Sequence, residues 1–474
     1  LSKFDKEEKH LVGVILIISL ALLAAIVAFN QSVHKSFLYV YIPTLILLPN
    51  YYFYNFMGIP DPNFNQAVIL VLFGIWMMEG LQGWKFTFTD IFVLAFAFSN
   101  PYSEYINIGY DDAQNLGFDM IASVLLPYVL AKSLIMQNNL SVDVAKLFSV
   151  LLVIVFIISS YQYVTHSSHT LWQKVLGIFF GHQGWGWVTR YREGLPRLAG
   201  PFAHAILFAT AMFSSFWLAM WLARKQVWKQ NVLGLSAPLF GYLIALVLFI
   251  AGFAALSRGP LGAWFIAGSI SVIGFTKYRW SLFSVMMVLL IAASVPLVNL
   301  LVEYASLKRI DVGFGSMQET VIYRTQLIQN YIEIANQSYL WGWGHENWPQ
   351  VTGQKSIDNY YLLLYLEHGI IALSSFVLIF LYTSIKLFTR VMTQPLVQPR
   401  GSSLGFSLLS ILIVFAISVA TVYLGQQLLP MYFLFIGWSE GYLFQRNFDL
   451  MGQNNVIPTT SQRLAGFQFK RVLQ

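Results

Sequence analysis

The stretch V-G-V-I-L-I-I-S-L-A-L-L-A-A-I-V-A-F at residues 12–29 decides the class of fold, because 18 consecutive uncharged residues can cross a bilayer as a helix. Similar apolar runs recur along all 474 residues, of which 57% are hydrophobic and only 10% are charged. Soluble domains carry about 25% charged residues, so this composition excludes a soluble enzyme. The sequence therefore predicts an all-α, polytopic membrane helix bundle.

Thirteen apolar runs are candidate membrane segments, which predicts about 12 to 13 spans although several runs are shorter than the ~20 residues of a perpendicular helix. The runs are Val12–Phe29, Phe37–Phe56, Gln66–Gly80, Thr87–Ser99, Phe118–Met136, Val144–Val164, Ile206–Ala223, Pro238–Leu256, Leu261–Phe275, Ser281–Leu300, Tyr360–Leu387, Gly405–Leu424 and Leu429–Phe444.

Positive charge predicts the orientation of the second half. Lys and Arg next to spans stay in the cytoplasm, and four basic connections are each separated by two runs. They contain Arg224, Lys225 and Lys229; Lys277 and Arg279; Lys386, Arg390 and Arg400; and the tail from Arg446 to Arg471. The predicted organisation is a bundle over 1–300 with an outer loop at 165–205, a large outer loop over 301–359, C-terminal membrane helices over 360–446 and a cytoplasmic tail over 447–474.

The number of spans in the first half does not fit a cytoplasmic N-terminus, which Lys3, Lys6 and Lys9 favour. Six runs precede the outer loop 165–205, whereas a cytoplasmic N-terminus requires an odd number of membrane spans before an outer loop. Three explanations stay open: a re-entrant element between Gln66 and Ser99, an N-terminus on the outer side, or a helix upstream of the sequence.

The two long outer loops carry arginines that oppose the positive-inside rule. The loop 165–205 holds four cations against Glu193 alone, and Arg258 and Arg324 lie in later outward segments. A guanidinium binds phosphate oxygens in a bidentate manner, so these arginines indicate an anionic partner; contact with lipid headgroups is the alternative. The candidate ligands of a pyrophosphate are Arg190, Arg192, Arg197 and Arg258.

Arg324 lies in an amphipathic segment, Met317–Asn336, where a guanidinium on the apolar stripe is costly unless it has a partner or reaches the interface. The apolar residues that recur at helical spacing there are Val321, Ile328, Ile332 and Ala335. We therefore expect Arg324 to act in catalysis by stabilising charge, with headgroup contact as the alternative.

The candidate general bases lie near the end of the second loop. Asp358 stands at the membrane surface, and His345 has an ordinary pKa suited to proton transfer. Asn359, Trp343 and Trp187 are candidate sugar-binding residues, although Asn is also a common helix N-cap and Trp is common at membrane interfaces. Glu367 and His368 lie roughly 14 to 15 Å below Asp358 along a helix, which favours a structural pair.

The sequence lacks a P-loop, a G-x-G-x-x-G ahead of a helix, an H-E-x-x-H and any His/Asp cluster at metal-ligand spacing. Nucleotide-driven chemistry and a metal site are therefore not expected, and neither is a cofactor or a nucleic-acid partner. A donor that is activated elsewhere and delivered in the membrane fits this absence.

Four pieces occur in an order that resembles the O-antigen ligase and Wzy-type polysaccharide polymerase superfamily. They are R-L-A-G-P-F-A-H at 197–204, S-R-G at 257–259, Y-R-T-Q-L-I at 323–328 leading to W-G-W-G, and D-N-Y-Y-L-L-L-Y-L-E-H-G-I-I at 358–371. The resemblance implies an inverting, metal-independent glycosyltransferase of the GT-C type at the outer face of the bacterial inner membrane. It also implies an undecaprenyl-pyrophosphate-linked donor, a glycan acceptor, and a chain-length regulator or export complex as partner.

One departure from the family pattern bears on the reaction. Ligases of this superfamily usually place a His before the Asn, whereas this chain has Asp358 before Asn359 and keeps the spacing to Gly369. The substitution favours a repeat-unit polymerase for O-antigen, capsule or exopolysaccharide. The alternatives are an O-antigen ligase and, in a different class, a transporter or flippase of lipid-linked oligosaccharide.

Overall fold

The computed structural model describes residues 2–54, 60–183, 186, 191–192, 194–229, 234, 236–306, 317–354, 356–397, 401 and 403–445. Its helices are α1 (Ser2–Asn30), α2 (Val33–Ser36), α3 (Ile42–Leu47), α4 (Phe64–Met78), α5 (Phe88–Asn107), α6 (Tyr110–Met120), α7 (Leu126–Leu134), α8 (Ser141–Ser159), α9 (Tyr161–Thr165), α10 (Leu171–Phe180), α11 (Ala205–Lys225), α12 (Ala237–Ala254), α13 (Arg258–Ile273), α14 (Arg279–Ser306), α15 (Met317–Gln337), α16 (Tyr360–Thr393), α17 (Leu404–Val419) and α18 (Leu428–Phe444). The π-helical segments Phe37–Tyr41 and Ile121–Leu125 connect α2 to α3 and α6 to α7.

The fold class predicted from the sequence is confirmed. Strands β1 (Tyr191–Arg192) and β2 (Leu195–Pro196) form a two-residue antiparallel ladder, and helices dominate the rest of the described chain. Six helical segments in the described part are long and apolar enough to cross a membrane. They are Leu11–Asn30, Tyr110–Leu134, Ser141–Thr165, Ala205–Lys225, Ala237–Ala254 and Tyr360–Thr393.

Each of the thirteen apolar runs coincides with a helix, but the run Phe37–Phe56 is helical only to Leu47. The backbone turns extended at Leu48, and the carbonyls freed there find side-chain donors. Trp172 Nε1 donates to Leu47 O at 2.7 Å, and Gln427 Nε2 donates to Leu48 O at 3.0 Å. These bonds satisfy helix-end acceptors that an apolar run cannot reveal.

The predicted basic connections meet at one end of the bundle, which we call the basic end. Arg224 Nη1 donates to Gly401 O, and Arg279 Nη1 donates to Val391 O and Gln394 O. Arg390 donates to backbone carbonyls at the end of α18. The helix ends after α11, α13, α16 and α18 therefore lie together, as the charge pattern predicted.

Helix α5 begins at the basic end of the bundle and ends at the opposite end. Thr89 at the start of α5 donates to Glu440 Oε1 at 2.8 Å, and Lys386 of the basic end binds the same carboxylate. The other end of α5 lies beside the turn after α15, at the opposite or loop end. Gly13, in the first half of α1, packs against Phe180 of α10.

A buried ionic network holds α5, α7, α16 and α18 together near the basic end. Lys132 Nζ lies 2.7 Å from both Asp90 carboxylate oxygens, and Tyr128 donates to Asp90 Oδ1 at 2.6 Å. Lys386 pairs with Glu440, whose side chain is fully buried. Each charge in this low-dielectric region has an opposite partner, as burial requires.

Candidate functional site

Helix α16 is broken at Gly369, and the break receives the loop that follows α15. Gly369 has φ +73° and ψ −171°, a conformation that L side chains rarely adopt. Trp343 N donates to Leu366 O and Gly344 N donates to Glu367 O, both at 2.9 Å. The interrupted helix thus offers carbonyls that bind the W-G-W-G loop.

Two glycines make this close approach feasible. A Cβ on Gly369 would lie 2.3 Å from Leu340 O, and a Cβ on Gly342 would lie 2.3 Å from Glu367 O. Neither position therefore accepts a side chain without displacement of the backbone. The W-G-W-G and E-H-G segments, which are both part of the family pattern, therefore pack directly against each other.

The loop insertion brings His345 to the acidic residues of α5 and α16. His345 Nδ1 lies 3.0 Å from Glu367 Oε1, and the backbone N–H of His345 donates to the Glu104 carboxylate at 3.1 and 3.3 Å. The imidazole is 66% exposed, whereas the Glu367 side chain is 11% exposed. His345 is thus held from two sides with its ring accessible.

The hydrogen bond with Glu367 raises the pKa of His345 from its ordinary 6.5 to about 9, and the charges of Glu346 and Glu104 act in the same direction. Burial of the ring opposes the increase. At neutral pH, His345 is therefore a cation, which donates hydrogen bonds and does not accept a proton.

A cavity of about 580 Å³ lies beside His345 at the loop end of the bundle. Its wall combines the starts of α4 and α16, the end of α5, most of α6 and the turn between α17 and α18. The polar residues along it are Asn50, Asp61, Asn63, Gln66, Asn100, Glu104, Asp112, Asn115, Asp119, Ser123, His345, Tyr360, Glu367, His368, Tyr423 and Gln426. The volume is that of a small-molecule or sugar site.

Several cavity residues are fixed by hydrogen bonds among themselves. Gln66 Nε2 donates to Asp119 Oδ1 at 2.7 Å, and Ser123 Oγ donates to the same oxygen at 2.8 Å. Asn63 and Gln66 form the capping box that starts α4. These bonds hold the side chains of α4 and α6 on this part of the wall in place.

The predicted arginines of the first loop meet the predicted Arg258 turn. Arg197, which is 7% exposed, donates from Nε to Ala255 O at 3.2 Å and from Nη2 to Ser257 Oγ at 2.8 Å. Arg192 Nη1 donates to Leu256 O at 2.5 Å. Arg258, the first residue of α13, is exposed next to these contacts. We call Arg192, Arg197 and Arg258 the arginine cluster.

The rest of the R-L-A-G-P-F-A-H piece serves the local fold. Gly200 has φ +58°, and a Cβ there would come within 2.5 Å of Ser159 Oγ. His204 Nδ1 accepts the backbone N–H of Ile206 and so caps α11. These two residues place Arg197 against the turn before α13.

The connection between α17 and α18 contacts the residue after Arg258 and also lines the cavity. Gly259 packs so tightly on Thr421 that an added Cβ would be 2.6 Å from its Oγ1. Two residues later, Tyr423 lines the cavity. Since each residue spans at most ~3.6 Å, the backbone of Thr421 is within about 8 Å of the cavity wall.

Three other predicted residues have ordinary structural contacts. Asn359 Oδ1 accepts the N–H groups of Tyr361 and Leu362 and is the N-cap of α16. Trp343 is half-buried and donates from Nε1 to Ile334 O at 3.0 Å. Asp358 is exposed and accepts a bond from Ser356 at 3.1 Å. The proposed sugar-binding and base roles of these residues stay predictions.

The predicted apolar stripe of α15 is confirmed at Ala335 and wrong at Ile328 and Ile332, while the side chain of Val321 lies outside the described part of the structure. Ile328 and Ile332 are 41% and 42% exposed, whereas Leu327, Tyr331 and Ala335 are buried. The hydroxyl of Tyr331 donates to Gln354 O at 2.6 Å, so its polar atom has a partner in the interior. At 100° per residue, Arg324 lies on the same side of the helix as Leu327 and Tyr331. It therefore borders the buried face of α15, as predicted, but its apolar neighbours differ from the predicted ones.

Two predicted residues, Arg190 and Trp187, lie outside the described residues. The interpretation of Glu367 and His368 as a structural pair depends on a large distance between them and the outer loops. The inserted loop instead contacts the pair, because His345 binds Glu367 directly. His368 stays buried beside Ser103, with 3.4 Å between Nδ1 and Oγ.

Sequence reasoning missed the contribution of α4, α5 and α6. Gln66, Glu104 and Asp119 lie at or near the ends of apolar runs, where they resemble helix boundaries. An ionisable residue in or near a membrane segment indicates a functional site by default, and Asp119 carried that signal. The long separation between Glu104 and His345 in the sequence hides their contact.

The fold and the site define a polytopic membrane protein with a polar cavity at one end of its helix bundle. Residues 243–377 match the family model described as O-antigen ligase, which confirms the resemblance to the O-antigen ligase and Wzy-type family. The match includes Arg258, Arg324, His345 and Glu367 and covers just over a quarter of the chain. It supports a membrane enzyme that ligates or polymerises glycans. No curated protein matches the chain.

Proposed function

We propose that the protein is a glycosyltransferase that moves glycan from an undecaprenyl-pyrophosphate carrier to a growing polysaccharide at the outer face of the inner membrane. The observation that carries this proposal is the pairing of an arginine cluster with a polar cavity inside a bundle that matches the O-antigen ligase family. The loop end of the bundle is the outward face in this proposal.

The arginine cluster binds the donor pyrophosphate. Arg197 is fixed by two hydrogen bonds to the turn before α13, and Arg258 is exposed next to it. A fixed guanidinium stabilises the charge that develops on the pyrophosphate as it leaves the sugar, without reorganisation in the transition state. Arg324 contributes a further positive charge from the border of the buried face of α15.

The proton of the attacking hydroxyl passes to a carboxylate in this proposal. His345 is already protonated at neutral pH because of Glu367, so it orients a substrate oxygen as a hydrogen-bond donor. Asp358, the sequence-based candidate, and Glu104 of the cavity wall are the two carboxylates that compete for the role. Comparison of Asp358→Asn with Glu104→Gln in a transfer assay assigns it, because only loss of the base lowers kcat with the acceptor still bound.

Polymerisation is the reaction that we favour, because Asp358 occupies the position where ligases of the family usually have a His. Ligation of the glycan to lipid A-core or another acceptor is the second candidate, and the description of the matching family model favours it. A polymerase lengthens chains on the carrier lipid, whereas a ligase leaves chain length unchanged and moves the chain. Analysis of the carrier-bound glycan in a deletion strain separates them.

The test uses a strain whose long-chain polysaccharide depends on the protein. Arg197→Ala should abolish the long chains, and Arg197→Lys should restore them poorly because lysine lacks the planar fork. Lys229→Ala at the basic end is the matched control for loss of a cation. Normal long chains with Arg197→Ala, in membranes that contain normal amounts of the protein, would refute the proposed function.

A further inference from the structure

The charge of the cavity has a consequence for the substrate. Five carboxylates line it, and none of its described lining residues is lysine or arginine. The five are Asp61, Glu104, Asp112, Asp119 and Glu367. Arg192 and Arg197, which bind the turn before α13, are not among the lining residues. His345 is the one lining side chain that the pair with Glu367 keeps protonated, and the five carboxylates outnumber it, so the cavity and the arginine cluster differ in the sign of their charge.

Besides the five carboxylates, the wall contains a buried acceptor that lacks a hydrogen-bond partner in the described part of the chain. Asn100 is 2% exposed, lines the cavity, and its Oδ1 has no hydrogen-bond partner among the described residues. A buried acceptor without a partner costs free energy unless a ligand or water donates to it. An ionised carboxylate accepts hydrogen bonds and donates none. Such a wall is complementary to the hydroxyl groups of a sugar or to an ammonium group.

We propose that this cavity binds the acceptor sugar of the transfer reaction, and that it selects a neutral or amine-bearing sugar against a uronic acid. The inference rests on the proposed function and adds the substrate class. A uronate in the cavity would face several carboxylates of the same charge, and repulsion of that kind is a common source of specificity. The hydroxyls of a neutral sugar would instead donate to Asn100 and the carboxylates.

The test compares two forms of one acceptor. The oligosaccharide of the strain's own lipid-linked precursor is released by mild acid, and half of it is oxidised at the terminal primary alcohol to the uronic acid. Purified full-length protein in detergent then receives the donor lipid and either form. We expect KM for the oxidised form to be at least about tenfold higher. Equal KM values would overturn the proposal, as would an anionic acceptor sugar in the native linkage.

Two neighbouring carboxylates provide matched variants. Asp112 lines the cavity, whereas Asp111, in the same first turn of α6, is not among its lining residues, and both are exposed. We expect Asp112→Asn to reduce the discrimination by about threefold, the effect of one partly screened charge. Asp111→Asn should leave it unchanged. Identical discrimination in both variants would contradict the assignment.

Failure of the proposed function is distinguishable from failure of the inference. If neither form is transferred, the glycosyltransferase proposal fails. Titration calorimetry without donor then tests the cavity directly: tighter binding of the unoxidised form supports the charge selection, and equal or absent binding refutes it. If both forms are transferred equally well, the enzyme proposal stands and the charge selection fails.

Discussion

Replacement of Glu367 by glutamine removes the carboxylate that holds His345, so the pKa of His345 should fall from about 9 toward 6.5. At pH 7, about 1% of the imidazole is neutral in the unmodified protein, and about three quarters would be neutral in Glu367→Gln if the pKa returned fully. The change is large because the first cause of the raised pKa is the hydrogen bond itself.

The assay is the rate of diethyl pyrocarbonate modification of His345 as a function of pH, read by mass spectrometry, since only neutral imidazole reacts. His166, exposed after α9, is the internal control, and its profile should be the same in both proteins. The half-maximal rate at His345 should move downward by at least one pH unit in the variant. Superimposable profiles would refute the ion pair.

The same pair makes stability depend on pH. Because the folded pKa of His345 is raised above 6.5, its contribution is fully present below about pH 6.5 and is lost as the pH rises through about 9. The imidazole is 66% exposed, so solvent screening limits the contribution to about 1 kcal/mol or less. In Glu367→Gln, the thermal midpoint should therefore change less between these two pH values than it does in the unmodified protein.

Further predictions concern the loop insertion, the ionic network and the helix cap, and thermal unfolding in detergent checks each. Gly369→Ala should cost more than about 2 kcal/mol because of its positive φ and the 2.3 Å approach of Leu340 O, whereas Gly74→Ala, with open space around it, should cost nothing. Lys132→Ala should cost about 3–5 kcal/mol by leaving Asp90 buried and unpaired; a cost under 1 kcal/mol would contradict the buried pair. Asn359→Ala should cost about 1 kcal/mol through loss of the cap, and unchanged stability would contradict that role.

The bundle could be predicted from the sequence because long apolar runs leave the helix as the main way to satisfy the backbone in lipid. The basic end could be predicted for a similar reason, since charge next to a span constrains its side. Contacts between helices that are distant in the sequence have no comparable local sequence signal. The pairing of Glu104 with His345 depends on the helix break at Gly369, and the glycine alone does not reveal which segment fills the break.

The candidate site was predicted in part. Arg192, Arg197 and Arg258 lie together, as their common outward position suggested. Arg324 borders the buried face of α15, but its apolar neighbours were misassigned because a tyrosine with a hydroxyl partner replaced two isoleucines in the interior. A periodicity argument uses only the apolar residues. It does not reveal that the hydroxyl of a tyrosine has an acceptor in the interior.

Transfer by the purified protein tests the central claim most directly. The protein in detergent, where no compartments exist, is mixed with the undecaprenyl-pyrophosphate-linked glycan, and chain length and released carrier lipid are measured over time. We predict that longer glycans and free undecaprenyl pyrophosphate appear together, and that Arg197→Ala abolishes both. Absence of any product with folded, unmodified protein, or equal product with Arg197→Ala, would contradict the account.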